Sequence, residues 1–411
     1  MKYNIVIIGG GAAGLFFASS VKTEYGKVLL LERGERLGKK LSSTGNGQGN
    51  VTNVNVHKTP YFSFAEDGNA RVQALLAKHG YEEMIAFLEG LGGLFCADER
   101  GRVYPTGRQA SAVTDLLRFE VARRGVETSL SAFVKAVKRK GDGYLVVADT
   151  PQGERTFETE HVVLCTGGKA AKNFGSDGNG YALARAFSHT ITPLYPALVQ
   201  LKTDTKHTKT LKGIRVNGAM LAAKVDGKQV AAAKGDVIFT DYGVSGDAVF
   251  RISSFVTAVA ESGRASLSID LLPEISEEKL IAVLQEKQNN YPSIAEGELL
   301  CGILNNQVGR AVMKRCQGQS MVAVAACVKA FTLPVVGTLG FDYAQVTKGG
   351  VRLDEVTDGM ESIFAKGFYL IGEVLDVDGE CGGYNLQWAY ASARACADEF
   401  DGKNAKARGR G

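Results

Sequence analysis

Asn4-Ile5-Val6-Ile7-Ile8 runs directly into Gly9-Gly10-Gly11-Ala12-Ala13-Gly14, and Lys27-Val28-Leu29-Leu30-Leu31 delivers Glu32. The stretch reads as a short apolar strand, a glycine-rich turn, a helix of small residues through Ser20, and a second strand ending in a carboxylate. Each piece has a physical role. Gly9 permits the tight turn, Gly11 lets the backbone approach a pyrophosphate, and Gly14 lets helix and strand pack closely, with Ala13 beside it on the same turn. Free amides at the helix start receive phosphates, and Glu32 is placed to accept hydrogen bonds from an adenosine ribose. A lone G-x-G-x-x-G is weak, but here strand, helix and acid stand in register. The chain is expected to bind an adenine dinucleotide.

The rest of the chain sets bounds on that reading. Its 411 residues suffice for a large core and two or more domains. A hydrophobic content of 45% with 22% charged residues is ordinary for a globular protein. The net charge of +4 is small, and much of it falls in Lys403-Asn404-Ala405-Lys406-Ala407-Arg408-Gly409-Arg410, which reads as a frayed, solvated end. Neither a nucleic-acid nor a membrane footprint is evident, so no nucleic-acid and no membrane partner is expected. Seven cysteines, odd in number and never spaced C-x-x-C, argue for reduced thiols and against a disulfide framework or a zinc site. No signal peptide is expected before a strand that starts at residue 3, and no apolar run is long enough to span a bilayer. The expected compartment is the cytoplasm.

After Glu32 comes a basic, glycine-rich stretch from Arg33 through Lys40 to Ser43-Thr44-Gly45-Asn46-Gly47-Gln48-Gly49-Asn50-Val51-Thr52-Asn53. It lacks apolar periodicity and reads as loop. Alternating Gly and Asn can hold successive amides in an anion-binding concavity, so cofactor contact is expected there. Helical periodicity returns over residues 71–91 and 112–124. Strand-like runs follow over 144–148 and 162–165, the second meeting Thr166-Gly167-Gly168. From about Pro193 the texture changes. Residues 216–225 and 229–240 alternate around Asp226-Gly227-Lys228, a hairpin signal, and helical patterns follow over 252–262, 276–289 and 319–331. Gly367-Phe368-Tyr369-Leu370-Ile371-Gly372-Glu373 resumes the buried-strand style. Asp378-Gly379-Glu380-Cys381-Gly382-Gly383-Tyr384-Asn385-Leu386-Gln387-Trp388 then opens a small-residue helix, a second dipole site.

Three separated cofactor-like segments suit a long ligand. On Gly9 to Gly14 with Glu32, Leu37-Gly38-Lys39-Lys40, Asn50-Val51-Thr52-Asn53, Thr347-Lys348-Gly349-Gly350-Val351 and Ile371-Gly372-Glu373-Val374-Leu375-Asp376 through Gln387, nearly the whole chain resembles the bacterial NAD(P)/FAD-dependent oxidoreductases, which include aminoacetone-oxidase-like and bile-acid enone-reductase-like members. It departs where that family usually has arginine and cysteine, here Gln48 and Gly49, and where a histidine is frequent, here Asp241. The resemblance implies an α/β fold: a Rossmann-like FAD-binding domain assembled from both termini, residues 1–192 and 345–411, with an inserted β-rich substrate domain and helical subdomain over 193–344. By the same resemblance, Gly9, Gly11, Gly14 and Glu32 hold the ADP half. Arg33, Lys40 and the loop carrying Thr44, Gly45, Asn46, Gly47, Asn50 and Thr52 line the pyrophosphate and ribityl path. Thr166 and Gly167 close over the adenosine side, and Gly372, Glu373, Gly382, Gly383, Asn385 and Leu386 reach towards the flavin.

The flavin supplies the redox chemistry and the protein supplies position and electrostatics. A helix starting near Asn385 aims its positive end where reduced cofactor carries charge. The candidates for acid or base are Tyr242, Asp241 and Glu380; a tyrosine can protonate carbon during enone reduction. Cys381 reads as a small packed residue. With one fingerprint only, the two-fold layout of disulfide reductases is excluded, and NAD(P)H must dock without a Rossmann domain of its own. The leading expectation is an FAD enzyme that uses NAD(P)H to reduce a small organic substrate at a conjugated carbon–carbon double bond. The alternatives are a flavin amine oxidase of the aminoacetone-oxidase type, an FAD-dependent RNA-modifying or RNA-binding protein, and a flavin-loaded structural or sensor protein. Oligomeric state is not legible.

Overall fold

The computed structural model describes residues 2–206 and 208–408. The chain divides into two compact units, Met1–Leu194 with Val346–Gly411, and Tyr195–Gln345.

In the first unit a sheet is built on β1 (Lys2–Ile8), β2 (Val28–Leu31), β3 (Glu127–Ser129), β4 (Phe133–Lys140), β5 (Gly143–Thr150), β6 (Gly153–Leu164) and β7 (Phe368–Leu370). The order β3-β2-β1-β6-β7 is parallel throughout. β4, β5 and the first half of β6 form an antiparallel meander. Apart from the polar, exposed edge strand β3, the parallel strands are near-continuous apolar runs along their paired lengths, as expected of strands covered on both faces. β7 comes from the far end of the chain and pairs Leu370 with Leu164, while Ile8 pairs with Leu31 on one side and Leu164 on the other. That register brings Gly9, Glu32, Cys165 and Ile371 out at one edge of the sheet, the carboxyl ends of four neighbouring strands. Ligands of open α/β sheets bind outside that edge. Helix α1 (Ala12–Ala18) packs on helix α2 (Tyr384–Arg408), with Phe16 edge-on to Tyr390 at 5.2 Å and Phe17 against Phe400 at 5.7 Å between ring centroids. The N-terminal turn and the C-terminal helix therefore share one core.

The second unit is a closed six-stranded barrel of Leu201–Thr203, Gly243–Ser245, Lys228–Phe239, Arg215–Val225, Ala265–Asp270 and Phe331–Thr338. Its core holds Leu221, Val237, Phe239, Leu267, Ile269 and Phe331. The hairpin joining Val225 to Lys228 turns at Asp226 and Gly227, both at positive φ, the geometry that matches the twist of paired strands.

Several local expectations need correction. The run 71–91 is two helices, Gly68–Leu76 and Tyr81–Gly90. They break at Gly80, where a Cβ would lie 2.8 Å from His57 Nε2 and 2.9 Å from the Leu76 carbonyl. The run 252–262 is a helix only as Asp247–Ser253, followed by a 3₁₀ turn at Thr257–Val259. Ser253 Oγ donates to the Phe250 carbonyl and accepts from the Val199 amide, competing with continued helix. The run 319–331 is a helix over Met321–Lys329, capped by Ser320, and Phe331 already starts a strand. A helix at Asn306–Arg315, capped by Asn305, has too polar a pattern to stand out. The tail is not frayed at Lys403: α2 continues to Arg408, and Lys403 Nζ reaches Glu361 at 2.7 Å and the Tyr369 hydroxyl at 3.0 Å. Gly409 and Arg410 lie outside the described residues.

Candidate functional site

The turn after β1 is held by contacts that only glycine allows. Gly9 has φ +110°, and a Cβ there would sit 2.5 Å from the Cys165 carbonyl oxygen. At Gly14 a Cβ would sit 2.0 Å from the Gly9 carbonyl oxygen, so helix and strand could not meet. Gly11 differs: a Cβ would touch nothing within 4 Å. Packing does not require glycine at that position, whereas close approach of a ligand would. Glu32 accepts from the Gly10 amide at 2.7 Å through Oε2 and from the Gly34 amide at 2.6 Å through Oε1. A carboxylate has about four acceptor positions, so two remain for a diol. Ala13 lies against Gly372, whose φ of +74° and close approach (2.6 Å from a built Cβ to the Ala13 Cβ) bring the C-terminal segment over the start of α1.

Beside this turn, Thr166 follows β6 with its hydroxyl tucked over Gly180, buried and without a hydrogen-bond partner. The hydroxyl of Tyr181 is buried and unpartnered likewise. Gly167 stands at φ +73°. Thr347 ties central and C-terminal segments together: its Oγ1 accepts from the Lys169 and Ala170 amides at 2.7 and 2.9 Å, and its amide donates to Glu373 Oε1 at 3.0 Å. The other Glu373 oxygen takes Lys40 Nζ at 2.9 Å. Arg33 is paired with Asp177 at 2.8 Å, and Arg33 lowers the Asp177 carboxyl against the burial that raises it most.

The glycine-rich loop makes a third wall. Gly45, Asn46 and Gly47 follow Thr44 at successive positive φ of 61°, 55° and 82°. Asn50 Nδ2 donates to the carbonyls of Thr52 and Val103. Thr52 Oγ1 donates to Gln387 Oε1 at 2.6 Å, and Asn53 Nδ2 to the Gly382 carbonyl at 3.2 Å. A Cβ on Gly383 would lie 2.4 Å from Thr52 backbone, so α2 begins in contact with this loop. Asn385 does not point free from the helix start; its amide closes the loop by bonding Gly379 and Glu380 backbone. Leu386 is half-buried beside it.

The three acid–base candidates belong to different units of the chain. Glu380 is half-buried in the loop before α2. Asp241 and Tyr242 belong to the barrel unit. Asp241 is exposed and paired with Lys212 at 2.8 Å, which holds its carboxyl below the usual range and works against proton donation. The Tyr242 carbonyl accepts from the Thr203 amide, and its ring is half-buried.

Three other charged residues carry no mark of burial in the sequence, although all three stand in segments that carry the resemblance: Lys348, Asp376 and Asp378. Asp376 Oδ2 accepts from the Phe64 amide at 2.7 Å and Ser63 Oγ at 3.2 Å, and burial pushes its carboxyl up to about 6. Asp378 is pushed up to about 7, mainly by burial. An isolated acid after an apolar run is the only available signal, and it equally describes a surface loop.

An adenine dinucleotide fits this edge: an open Gly11, a carboxylate with spare acceptor positions, and two buried hydroxyls lacking partners, which are costly to leave so. Residues 3–399 match the HI0933-like protein Rossmann domain family. The chain belongs to that family. It is 37% identical over 406 residues to the 3-dehydro-bile acid delta(4,6)-reductase of Clostridium scindens, covering 94% of this chain and 96% of that protein. It is 30% identical over 421 residues to the ribosomal RNA dihydrouridine synthase of Escherichia coli, covering 97% and 98%. A quinol-fumarate reductase structure with menaquinol shares the fold, with a TM-score of 0.50 at 15% identity over 97% of this chain and 70% of that one. The family is one of FAD-dependent oxidoreductases, and this member has the Rossmann-like FAD fold with an inserted barrel. Among the described residues no helix is long and apolar enough to cross a membrane.

Proposed function

We propose that this FAD-dependent oxidoreductase takes electrons from NAD(P)H and reduces a carbon–carbon double bond conjugated to a carbonyl in a small organic substrate. The likeness over almost the full length of both chains to a protein named as a delta(4,6)-reductase carries the reading. In such a reduction hydride arrives at the carbon β to the carbonyl and a proton at the α carbon. Bound FAD supplies the two-electron chemistry. The protein's part is to hold and orient: Gly9, Gly11, Ala13, Gly14 and Glu32 for the ADP half; Arg33, Lys40 and the 44–53 loop along the pyrophosphate and ribityl; Thr166 and Gly167 at the adenosine; Gly372, Glu373, Gly382, Gly383, Asn385 and Leu386 towards the ring. Tyr242 and Glu380 are the proposed proton-handling groups. Asp241, tied to Lys212, is the weaker candidate.

A second reading, reduction of uracil in RNA, is favoured by the likeness to ribosomal RNA dihydrouridine synthases. It involves the same bond class, since the uracil double bond is also conjugated to a carbonyl, and the small net charge of +4 speaks against it. The test is anaerobic stopped-flow of the flavin-loaded protein with NADH, NADPH and aminoacetone, followed by reoxidation with 3-oxo-Δ4 steroids or a uridine-containing RNA. Bleaching by nicotinamide and reoxidation by the steroid support the first reading. Reoxidation by RNA alone promotes the second, and bleaching by amine alone defeats both.

A further inference from the structure

The Thr347-Lys348-Gly349-Gly350-Val351 segment brings in a cation to which the cofactor contacts above assign no role. Lys348 Nζ lies 3.5 Å from the centroid of the Phe62 ring. Phe62 is joined to Asp378 by backbone hydrogen bonds in both directions, at 2.8 and 3.1 Å. The Asp378 side chain is buried, and its Oδ1 has no partner among the described residues. Asp376, two residues earlier, likewise leaves Oδ1 unpartnered. This stretch is pinned at both ends to the cofactor walls: Gly372 against Ala13 at the start of α1, and Gly383 against Thr52 of the glycine-rich loop. Asp378 therefore sits on a chain segment that runs directly from the phosphate turn to that loop.

The groups facing it can be named. Asp378 feels Lys348, Asp376 and Glu373. Glu373 is bonded by Lys40 and the Thr347 amide. Asp376 feels Arg352, itself paired with Asp354, and Lys348. Tyr181 feels Glu373 and Asp376. Tyr61 packs on Gly379 and donates its hydroxyl to the Tyr384 carbonyl, while the Tyr384 hydroxyl accepts from Thr59. The buried carboxyls of Asp376 and Asp378 thus share the ammonium of Lys348, while Arg352 beside Asp376 is tied to Asp354 and the partly exposed Glu373 to Lys40. In a buried site of that imbalance one carboxyl holds its proton easily.

We propose that Lys348 and Asp378 form a buried proton-holding couple for the cofactor, in which reduction of the bound flavin draws one proton from solvent onto the Asp378 carboxylate while Lys348 stays cationic. The proposal rests on the FAD reading above. Charge balance is its physical basis: negative charge gained by the cofactor raises the cost of a second buried anion, and protonating Asp378 removes that anion. Burial raises the Asp378 carboxyl to about 7, with Lys348 pulling it down and Asp376 and Glu373 pushing it further up. The couple is therefore poised where a modest field decides the proton's place. Both are positioning residues.

The experiment counts protons. Flavin-loaded protein is reduced anaerobically at pH 8 in weak buffer with an indicator dye, and the midpoint potential is followed from pH 5.5 to 9. The unmodified chain is expected to take up one proton more per two electrons than Asp378→Asn at pH 8, and the two to converge below pH 6. In Lys348→Met the pH range of extra uptake shifts upward, because the counter-charge is lost; a purely structural role would not move it. Equal proton counts in the unmodified chain and Asp378→Asn overturn the couple while leaving the FAD reading intact. If Asp378→Asn does not fold, an unshifted range in Lys348→Met overturns it. A purified chain that takes up no FAD overturns the reading beneath it and the couple together.

Discussion

The ammonium of Lys40 stands 2.9 Å from Glu373, across 333 residues of sequence, and locks the N-terminal glycine-rich loop to the segment after β7. Glu373 completes the link by accepting the Thr347 amide. Both side chains are partly exposed, so the pair is worth about 1 kcal/mol, not the several expected of a dry ion pair. Lys40→Met and Glu373→Gln should each weaken FAD binding by roughly fivefold, and the double variant by much less than the product. Flavin fluorescence titration of the reconstituted protein measures all three. Fully additive losses would show that the two residues act separately.

Gly11 and Gly14 should separate ligand binding from folding. A side chain at Gly11 meets nothing in the protein, so Gly11→Val should keep the unmodified melting temperature within a few degrees yet lose flavin, because the valine occupies the space of the pyrophosphate. Gly14→Val drives its Cβ into the Gly9 carbonyl and should fail to fold. Circular dichroism and chromatography of acid-released cofactor distinguish the two. A yellow Gly11→Val protein with full stoichiometry would reduce the turn to a structural device.

How much of this was legible follows from what burial leaves in a sequence. The edge where Gly9, Glu32, Thr166 and Gly372 converge could be read because each strand is an apolar run ending abruptly in a glycine, an acid or a small polar residue. The break at Gly80 could not, since residues 71–91 keep helical spacing, and the need for glycine there comes from His57 on another segment. Asp376 and Asp378 were hidden for a related reason: an acid's spacing does not tell whether the chain folds over it. Closure of the barrel depends on Leu201 finding both Val244 and Thr338, pairings between short strands far apart in sequence that carry no local signature.

Asp378 should contribute less to the stability of the flavin-free chain as pH rises towards neutrality. Asp378 has a folded-state carboxyl raised to about 7 from an unfolded value near 3.8. A raised carboxyl favours the folded state fully below the unfolded value, and that contribution is lost progressively as pH climbs to the folded one. The loss between about pH 4 and 7 is of the order of a few kcal/mol, at ~1.4 kcal/mol for each tenfold difference in proton affinity between the folded and unfolded chain. Urea midpoints should decline more steeply across that range in the unmodified chain than in Asp378→Asn, where Asp376, raised to about 6, still contributes. A midpoint that rises from pH 4 to 7 in the unmodified chain and equally in the variant would contradict the burial of this acid.

Tyr242→Phe should slow the oxidative half of turnover, in which the enone reoxidises the flavin, by about a hundredfold if the phenol delivers the proton, with flavin reduction by nicotinamide unchanged. Asp241→Asn should cost little in either step, because its carboxylate is exposed and neutralised by Lys212. Pre-steady-state reoxidation kinetics resolve the two. Loss of activity confined to Asp241→Asn would reverse the assignment.

The choice of electron donor discriminates most sharply. Flavin reduction by NADH or NADPH should outpace reduction by simple amines under anaerobic conditions. Nothing in the turn around Gly9 or the start of α2 favours one donor, since both serve any reduced flavin. The expectation rests on the full-length likeness to a delta(4,6)-reductase. Glu380 offers an internal check. It is half-buried on the loop that Asn385 closes over, and a carboxylate there could hold a substrate ammonium. If the protein were an amine oxidase, Glu380→Gln would damage amine turnover selectively and spare reduction by nicotinamide. If it is a reductase, the same substitution should leave the nicotinamide rate within about twofold, since a half-exposed carboxylate contributes little beyond ~0.5 kcal/mol to a distant partner. Rapid bleaching by aminoacetone, lost in Glu380→Gln and absent with either nicotinamide, would make amine oxidation the activity and leave the enone reading without support.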